Sequence, residues 1–165
     1  MKITMILKLL EKFERWLIKR GSYTKLYLGG NLYFDRFYIF RSEKFAILLH
    51  KFYTHDQFLH CHPWWNFSFV LAGGYDEERF DGTIRTYEPG NFTFRQAEVF
   101  HRISRINEPG YTWSLFITGP RKRLWGKVRN GKWNAVLERL DEGLVGHVFP
   151  RRKAETNSTT IARKD

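Results

Sequence analysis

Two histidines separated by one residue, His60 and His62, are the side chains whose spacing first suggests chemistry in this chain. Side chains alternate along a β-strand, so a strand here would place both imidazoles on one face, about 7 Å apart along the backbone. At that spacing the two rings can converge on a single ion. Imidazole suits iron, zinc, copper, manganese and nickel, so the pair predicts a transition metal without choosing it.

A third ligand is needed to hold such an ion, and His101 is the candidate. The segment 88–100 has the pattern of a turn, a strand and a second turn, which would carry the chain back across the fold and point His101 inward. Each histidine alone is a weak indication, because a single histidine in a strand is more often a hydrogen-bonded structural group. Together, His60, His62 and His101 predict a metal site.

Other polar residues near this motif are candidates for supporting roles. His50, His55 and Asp56 precede the motif, and we consider them for orienting a ligand or transferring a proton, with a core, rim or loop position as the alternative. Glu77 and Glu98 could supply a carboxylate, but both are predicted to be surface charges.

Arginines in the predicted strands and turns could hold an anionic substrate, because a guanidinium pairs with a carboxylate or phosphate through two hydrogen bonds. The candidates are Arg85, Arg95, Arg102 and Arg105. Strand parity puts Arg105 on the same face as His101, so Arg105 is the preferred anchor, with Arg102 as the second choice.

Aromatic side chains are expected to line or cap the fold, mostly as core packing. An aromatic wall would also suit a small apolar or planar substrate, and we assign Trp64 and Tyr75 to substrate binding on that basis. The aromatic residues considered for lining or capping the fold are Trp64, Trp65, Phe67, Phe69, Tyr75, Phe94 and Trp113.

The segments that must position these residues have the pattern of short strands. From Gly21 onward, alternating runs are separated by Gly, Asp, Asn and Pro at intervals of about ten residues, which is typical of an all-β sandwich or barrel. Gly73-Gly74 and Asp81-Gly82 have the residues that tight hairpins need, because primed turns require positive φ. The predicted strands lie at 36–40, 45–52, 58–62, 67–71, 75–80, 83–87, 91–94, 99–106 and 112–118.

The two ends of the chain differ from this pattern, so a β-domain is predicted over 22–120. Residues 1–21 predict an amphipathic helix that packs on the strands or on a partner subunit, or lies on an anionic membrane surface. A basic extension follows over 121–149, with a short helix predicted at 132–140, and 150–165 is predicted to be a flexible polar tail. The apolar face of the first helix comprises Ile6, Leu9, Leu10, Phe13, Trp16 and Leu17.

Composition narrows the class of protein. A chain of 165 residues with 42% hydrophobic residues can form one domain with a compact core. A single cysteine, Cys61, excludes an internal disulfide framework, and the absence of a signal peptide or a membrane-spanning stretch predicts a cytoplasmic protein. The net charge of +11 is concentrated towards the C-terminus, where solvated charge is the preferred interpretation and nucleic-acid binding the alternative.

The histidine pair and the residues after it resemble the first sequence motif of the cupin superfamily. That motif has two histidines separated by one residue, a glutamate four residues after the second histidine, and a glycine seven residues further on. His60, His62, Asn66 and Gly73 stand in those places, so the histidines and the glycine match and the acidic ligand does not.

The region before His101 is similar to the second cupin motif, which runs Gly, five residues, Pro, one residue, Gly, two residues, His. Gly90 and His101 match, whereas Gln96 and Glu98 replace the inner proline and glycine. A group of small cupin-like proteins from bacteria and phages is similar over further segments but carries no activity over to this chain. Those segments are His60-Cys61-His62-Pro63-Trp64, Gly73-Gly74-Tyr75-Asp76-Glu77, His101-Arg102, Gly119-Pro120 and Trp125-Gly126.

The resemblance implies a single-domain jelly-roll β-barrel, often a homodimer, with a metal site in its mouth. Asn66 stands where a typical cupin has a carboxylate ligand, so this possible fourth ligand position offers only a neutral amide oxygen. If Asn66 does not bind, the metal keeps one more open coordination position, which is what catalysis requires. The three-histidine arrangement is similar to that of thiol dioxygenases, in which Fe(II) binds both dioxygen and the substrate. One divalent ion is therefore expected, with Fe(II) favoured and Zn, Mn or Ni as alternatives.

Three functions are compatible with these observations. The leading hypothesis is an Fe(II) oxygenase that acts on a small molecule. The second is a metal-free isomerase similar to the sugar-nucleotide cupins, in which His62 or His101 is a base near Asp56 and Tyr75. The third is a non-catalytic barrel that binds a ligand or a nucleic acid, and the sequence alone assigns no catalytic residue.

Overall fold

A computed structural model describes residues 2–28, 30–129 and 132–135 of the chain. Those residues form one helix followed by twelve strands. The elements are α1 (Lys2–Lys19), β1 (Tyr23–Leu28), β2 (Asn31–Arg41), β3 (Ala46–Phe52), β4 (His60–Cys61), β5 (Asn66–Ala72), β6 (Tyr75–Arg79), β7 (Ile84–Tyr87), β8 (Phe92–Arg95), β9 (His101–Ile106), β10 (Thr112–Thr118), β11 (Gly126–Arg129) and β12 (Lys132–Ala135).

The strands form two six-stranded antiparallel sheets that pack face to face. The first sheet has the order β1-β2-β3-β10-β5-β8 and the second the order β12-β11-β4-β9-β6-β7. Val70 of the first sheet packs in one cluster with Tyr75, Tyr87 and Ile103 of the second, so apolar side chains fill the space between the sheets. This is the all-β jelly-roll arrangement that the sequence predicts, formed as a sandwich of two sheets.

The predicted strands agree with the observed ones over most of this region, and β10 agrees at both ends. The sequence prediction missed β1 and the first half of β2, and only His60–Cys61 of the predicted strand 58–62 is a strand. Lys132–Ala135, predicted to begin a helix, instead forms β12, because pairing with β11 overrides helix propensity. The rest of that predicted helix and the predicted tail lie outside the described residues.

The two predicted hairpins have different roles. Asp81-Gly82 joins β6 to β7, which pair with each other, so this hairpin is confirmed. Gly73-Gly74 instead links β5 of the first sheet to β6 of the second, so the hairpin prediction is wrong there. Gly73 has a φ of 75°, and a Cβ atom at this position would collide with the carbonyl oxygen of Tyr111. The crossing between the sheets therefore requires glycine at position 73.

Helix α1 covers the outer face of the first sheet. Leu10 and Leu17 are buried against Phe37, Leu49 and Trp113. The predicted packing on the strands is therefore observed. Leu10, Phe13 and Leu17 of the predicted apolar face pack inward together with Leu7, whereas Ile6, Leu9 and Trp16 are exposed. No helix among the described residues is both long enough and apolar enough to cross a membrane.

Candidate metal centre

The short strand β4 places two of the three predicted histidines next to each other. It pairs with β9 in the antiparallel sense, and His60 lies directly opposite His101. Paired residues present their side chains on the same face of a sheet, and His62 follows two residues after His60. The ring centroid of His60 lies 5.0 Å from that of His62 and 4.9 Å from that of His101.

The imidazole nitrogens are close enough for all three rings to bind one ion. One ligand atom from each of His60, His62 and His101 lies within 4.8 Å of the others, and Nε2 of His62 is 3.2 Å from Nε2 of His101. Two nitrogens that each lie about 2.0–2.1 Å from a metal, at octahedral or tetrahedral angles, are about 2.8–3.4 Å apart. The spacing of His62 and His101 fits this range, so the three histidines form a site that can hold a metal ion.

The surroundings of the histidines favour the neutral imidazole, which is the form that binds a metal. Burial, followed by the charges of His60, Arg95 and Arg36, lowers the pKa of His62 well below 6.5. Burial and then the charge of Arg95 do the same for the pKa of His101. Nδ1 of His60 lies 3.3 Å from the carbonyl oxygen of Phe58, which can only accept a hydrogen bond. A hydrogen bond to that carbonyl requires a proton on Nδ1 of His60, an arrangement in which Nε2 is the nitrogen that binds a metal.

Comparisons with known proteins show which known fold this architecture matches. No family model matches the sequence, and no curated protein matches it. The crystal structure of HppE with Fe(II), a cupin-superfamily protein, aligns with a TM-score of 0.51 at 16% identity over 58% of this chain. The chain has a cupin fold. It spans 55% of the length of HppE.

Other solved cupins align less closely. An RmlC-like cupin from Shewanella frigidimarina NCIMB 400 has a TM-score of 0.46 at 18% identity, over 61% of this chain and 85% of its own. The EutQ protein of Clostridium difficile has a TM-score of 0.47 at 16% identity, over 58% of this chain and 75% of its own. The comparison with HppE supports the cupin fold, and no similarity at this identity assigns an activity.

The carboxylate position of the cupin motif is part of a buried polar network in this chain. Asn66 is fully buried on β5, and its Oδ1 accepts a hydrogen bond of 3.2 Å from Nη1 of Arg95. Nη2 of Arg95 pairs with Oε2 of Glu77 and donates to the Tyr75 hydroxyl at 3.4 Å. Arg79 completes the network, with its Nε 2.7 Å from Oε1 of Glu77.

This network corrects the prediction made for Glu77 and shows where Tyr75 and Arg95 lie. Glu77, predicted to be a surface charge, is 0% exposed, because the parity of β6 turns it between the sheets. Tyr75 is also buried and interacts with Arg95. Burial lowers the pKa of Arg95, but Tyr75 and Glu77 outweigh burial and raise it above its usual value. Glu98 is exposed, as predicted.

Asp56 lies behind the metal site rather than in it. Its Oδ2 accepts a 2.6 Å hydrogen bond from the backbone nitrogen of Ile103 and lies 3.9 Å from Nδ1 of His60. Burial raises the pKa of this carboxyl group, whereas the nearby His60 and the Ile103 amide lower it. Asp56 thus joins the loop before β4 to β9 and faces the outer side of the His60 ring.

The remaining predicted residues occupy different environments. His50 is buried on the inner face of the first sheet, with its ring stacked 4.8 Å from Phe116. His55 is exposed in the loop before β4. Trp64 stacks 6.5 Å from His62, and its indole nitrogen is buried without an acceptor among the described residues.

The two arginines chosen as substrate anchors form ion pairs with neighbouring strands. Arg102 contacts Glu78 through two nitrogens at 2.8 and 2.6 Å. Nη2 of Arg105 lies 2.7 Å from Oδ2 of Asp76, and the side chain is 69% exposed. The parity argument for Arg105 fails because β9 has an irregularity after Ile103. Ile103 and Arg105 therefore pair with consecutive positions of β6, and Arg105 no longer shares a face with His101.

The structure adds residues that the sequence analysis did not select. The Trp125 ring lies 5.8 Å from that of His60 and forms one wall of the site. Arg36 lies opposite His50 in the β2–β3 pair, with its Nε donating to Nε2 of His50 at 3.3 Å. An alternating pattern through β2 could have shown that Arg36 faces inward, but the predicted strand there began at residue 36 itself.

Proposed function

We propose that this protein is an Fe(II)-dependent enzyme that oxidises a small molecule with dioxygen as the oxidant, and that His60, His62 and His101 would hold the metal ion. The observation that carries the proposal is the convergence of three imidazoles in a cluster that contains no carboxylate. Three neutral ligands leave the full positive charge on the ion and leave coordination positions open for substrate and dioxygen.

Two features of the site support a catalytic rather than a purely structural ion. Structural metal sites usually have four protein ligands, whereas this cluster has three. The amide oxygen of Asn66, which stands at the fourth position of the motif, already accepts a hydrogen bond from Arg95. The similarity to HppE, whose structure contains Fe(II), supports iron among the candidate metals at the level of analogy.

The protein's own residues have separable tasks in this mechanism. An Fe(II) ion would supply a Lewis acid and the one-electron chemistry that activation of dioxygen requires. The carbonyl of Phe58 and the carboxylate of Asp56 hold the His60 ring in orientation. Burial keeps His62 and His101 unprotonated. The Trp125 ring excludes water from one side of the site.

The two other functions stay predictions. A metal-free isomerase would need a base oriented by a carboxylate, and the pair that lies closest to this description is Asp56 with His60, not with His62 or His101. A non-catalytic barrel that binds nucleic acid depends on the basic residues of the C-terminal extension. A homodimer and a cytoplasmic location are likewise predictions.

Metal content measured by mass spectrometry on protein purified without a metal-binding tag tests the proposal. We expect about one equivalent of iron per chain, lost in the variant His62→Ala and retained in His55→Ala, which removes an exposed histidine. The iron(II) protein should then bind nitric oxide, an analogue of dioxygen, with a new signal in its electron paramagnetic resonance spectrum. A folded protein that takes up neither Fe(II), Mn(II) nor Zn(II) would exclude the proposal.

A further inference from the structure

Arg36 is a charged side chain inside the sandwich without a charged partner. Its neighbours are the ring of His50, the ring of Phe34 with its centroid 5.2 Å from the guanidinium, and the hydroxyl of Tyr38. No carboxylate of the described residues lies within 4.0 Å of it. Burial lowers the pKa of Arg36, which indicates that its charge is poorly solvated.

Other arginines between or beside the sheets are paired differently. Arg95 and Arg79 share Glu77, Arg102 pairs with Glu78, and the exposed Arg105 pairs with Asp76. Removal of a guanidinium from water costs free energy unless an anion or several acceptors compensate it. The environment of Arg36 contains aromatic rings and neutral polar groups, so an anion from outside the chain would compensate its positive charge.

The position of Arg36 places such an anion close to the metal centre. Its partner His50 stacks on Phe116 at 4.8 Å, and the Phe116 ring lies 5.8 Å from that of His62. These side chains follow one another on the inner side of the sandwich. Arg36 is only partly buried, so part of the residue is accessible to a ligand.

We propose that Arg36 binds the carboxylate or phosphate group of the small molecule that reacts at the three-histidine centre. This inference rests on the proposed function and adds the substrate class, an oxyanion whose reactive end meets the metal. Two parallel hydrogen bonds from the guanidinium fork fit either group, and the rings of His50 and Phe116 connect Arg36 to His62 by successive contacts. Arg36, not Arg105 or Arg102, then sets the specificity for an anion.

Isothermal titration of the full-length protein with acetate and with inorganic phosphate tests this assignment, at an ionic strength near 0.15 M to suppress binding to surface charge. We expect Arg36→Gln to weaken binding of the preferred anion by about tenfold or more. Arg105→Gln removes the same charge from an exposed ion pair and should change affinity by less than about twofold. The acetate and phosphate arms identify which oxyanion the site prefers.

Two further measurements separate a binding role from a structural one. Arg36→Met should unfold at the same temperature as the wild type or higher, because an unpaired buried charge is removed. Arg36→Lys, which keeps the charge but loses the fork, should bind the anion more weakly than wild type. A drop of more than about 4 °C in Arg36→Met would show that Arg36 is structural and would overturn the proposal.

The outcomes also distinguish this inference from the proposed function. Metal content is measured on the same samples, and Arg36→Gln should retain its metal. Equal anion affinity in wild type and Arg36→Gln, or an equal loss in Arg105→Gln, overturns the role of Arg36 while leaving the metal centre intact. Loss of anion binding in Arg36→Gln supports that role even where the wild type contains no iron.

Discussion

Oδ2 of Asp56 lies 3.9 Å from Nδ1 of His60 while accepting a hydrogen bond from the amide of Ile103. One carboxylate therefore links the backbone of β9, the strand that begins with His101, to the ring of another candidate ligand. Carboxylates in this position orient a ligating imidazole and increase its basicity. A metal ion held by the three histidines would thus depend on a residue outside the ligand set.

Asp56→Asn is expected to weaken metal binding without preventing folding. The amide oxygen can still accept the hydrogen bond from Ile103, but the negative charge beside His60 is lost. Metal affinity should fall by about 10–100-fold, the usual effect of losing such a partner. Competition with a chelator of known affinity measures this change. Unchanged affinity would show that Phe58 alone orients His60.

Stability should fall on acidification because of buried neutral histidines. Burial lowers the pKa of His50, His62 and His101 in the folded state, so below about pH 6.5 the unfolded chain binds more protons than the folded chain. Their contribution to stability is therefore complete above pH 6.5 and decreases as the pH falls below it. Each histidine contributes at most about 1.4 kcal/mol per pH unit.

Substitution of one histidine outside the metal site isolates this effect. Urea unfolding of chelator-treated protein between pH 7 and 5 should give a smaller slope for His50→Gln than for wild type, by up to about 1.4 kcal/mol per pH unit. His55→Gln, in the exposed loop, should keep the wild-type slope. The raised pKa of Asp56 acts in the opposite direction, and comparison of the variants cancels it. Identical slopes for wild type and His50→Gln would contradict the assignment.

Adjacent glutamates on β6 should differ sharply in their effect on stability. Glu77→Gln leaves the buried Arg95 without its carboxylate and should reduce the free energy of unfolding by about 3–5 kcal/mol. Glu78→Gln breaks a partly exposed pair with Arg102 and should cost about 1 kcal/mol or less. Chemical denaturation at pH 7 compares them. Similar losses would show that solvent reaches the Arg95 network.

Gly73 and Gly82 both have a positive φ, but the same substitution should have unequal costs at the two positions. Gly73→Ala combines a positive φ with a collision against the backbone of Tyr111, so the link between the sheets must shift. Gly82→Ala has a similar φ of 81° but no atom within 4 Å of the added methyl group. The second change should cost about 1–2 kcal/mol and the first clearly more. Thermal unfolding of both variants tests the difference, and equal costs would argue against the close packing at Gly73.

Much of the fold could be predicted from local pattern, and the failures have identifiable causes. The sequence predicts the β10 strand at both ends. The helix prediction at Lys132–Ala135 failed because pairing with β11 is a long-range contact that propensity cannot register. Parity misplaced Arg105, since the irregularity in β9 arises from pairing with β6 and leaves no mark in the sequence.

From the sequence alone, the spacing of His60 and His62 indicated that both imidazoles share one face, because side chains alternate along a strand. The sequence also indicated His101 through motif resemblance, and the all-β class through turn residues and alternating runs. The packing of the strands, in contrast, sets His101 opposite His60 and buries Glu77 against Arg95. It also leaves Arg36 with no carboxylate beside it among the described residues. These relationships join residues on different strands, and which charges meet depends on how two sheets pack rather than on any local pattern.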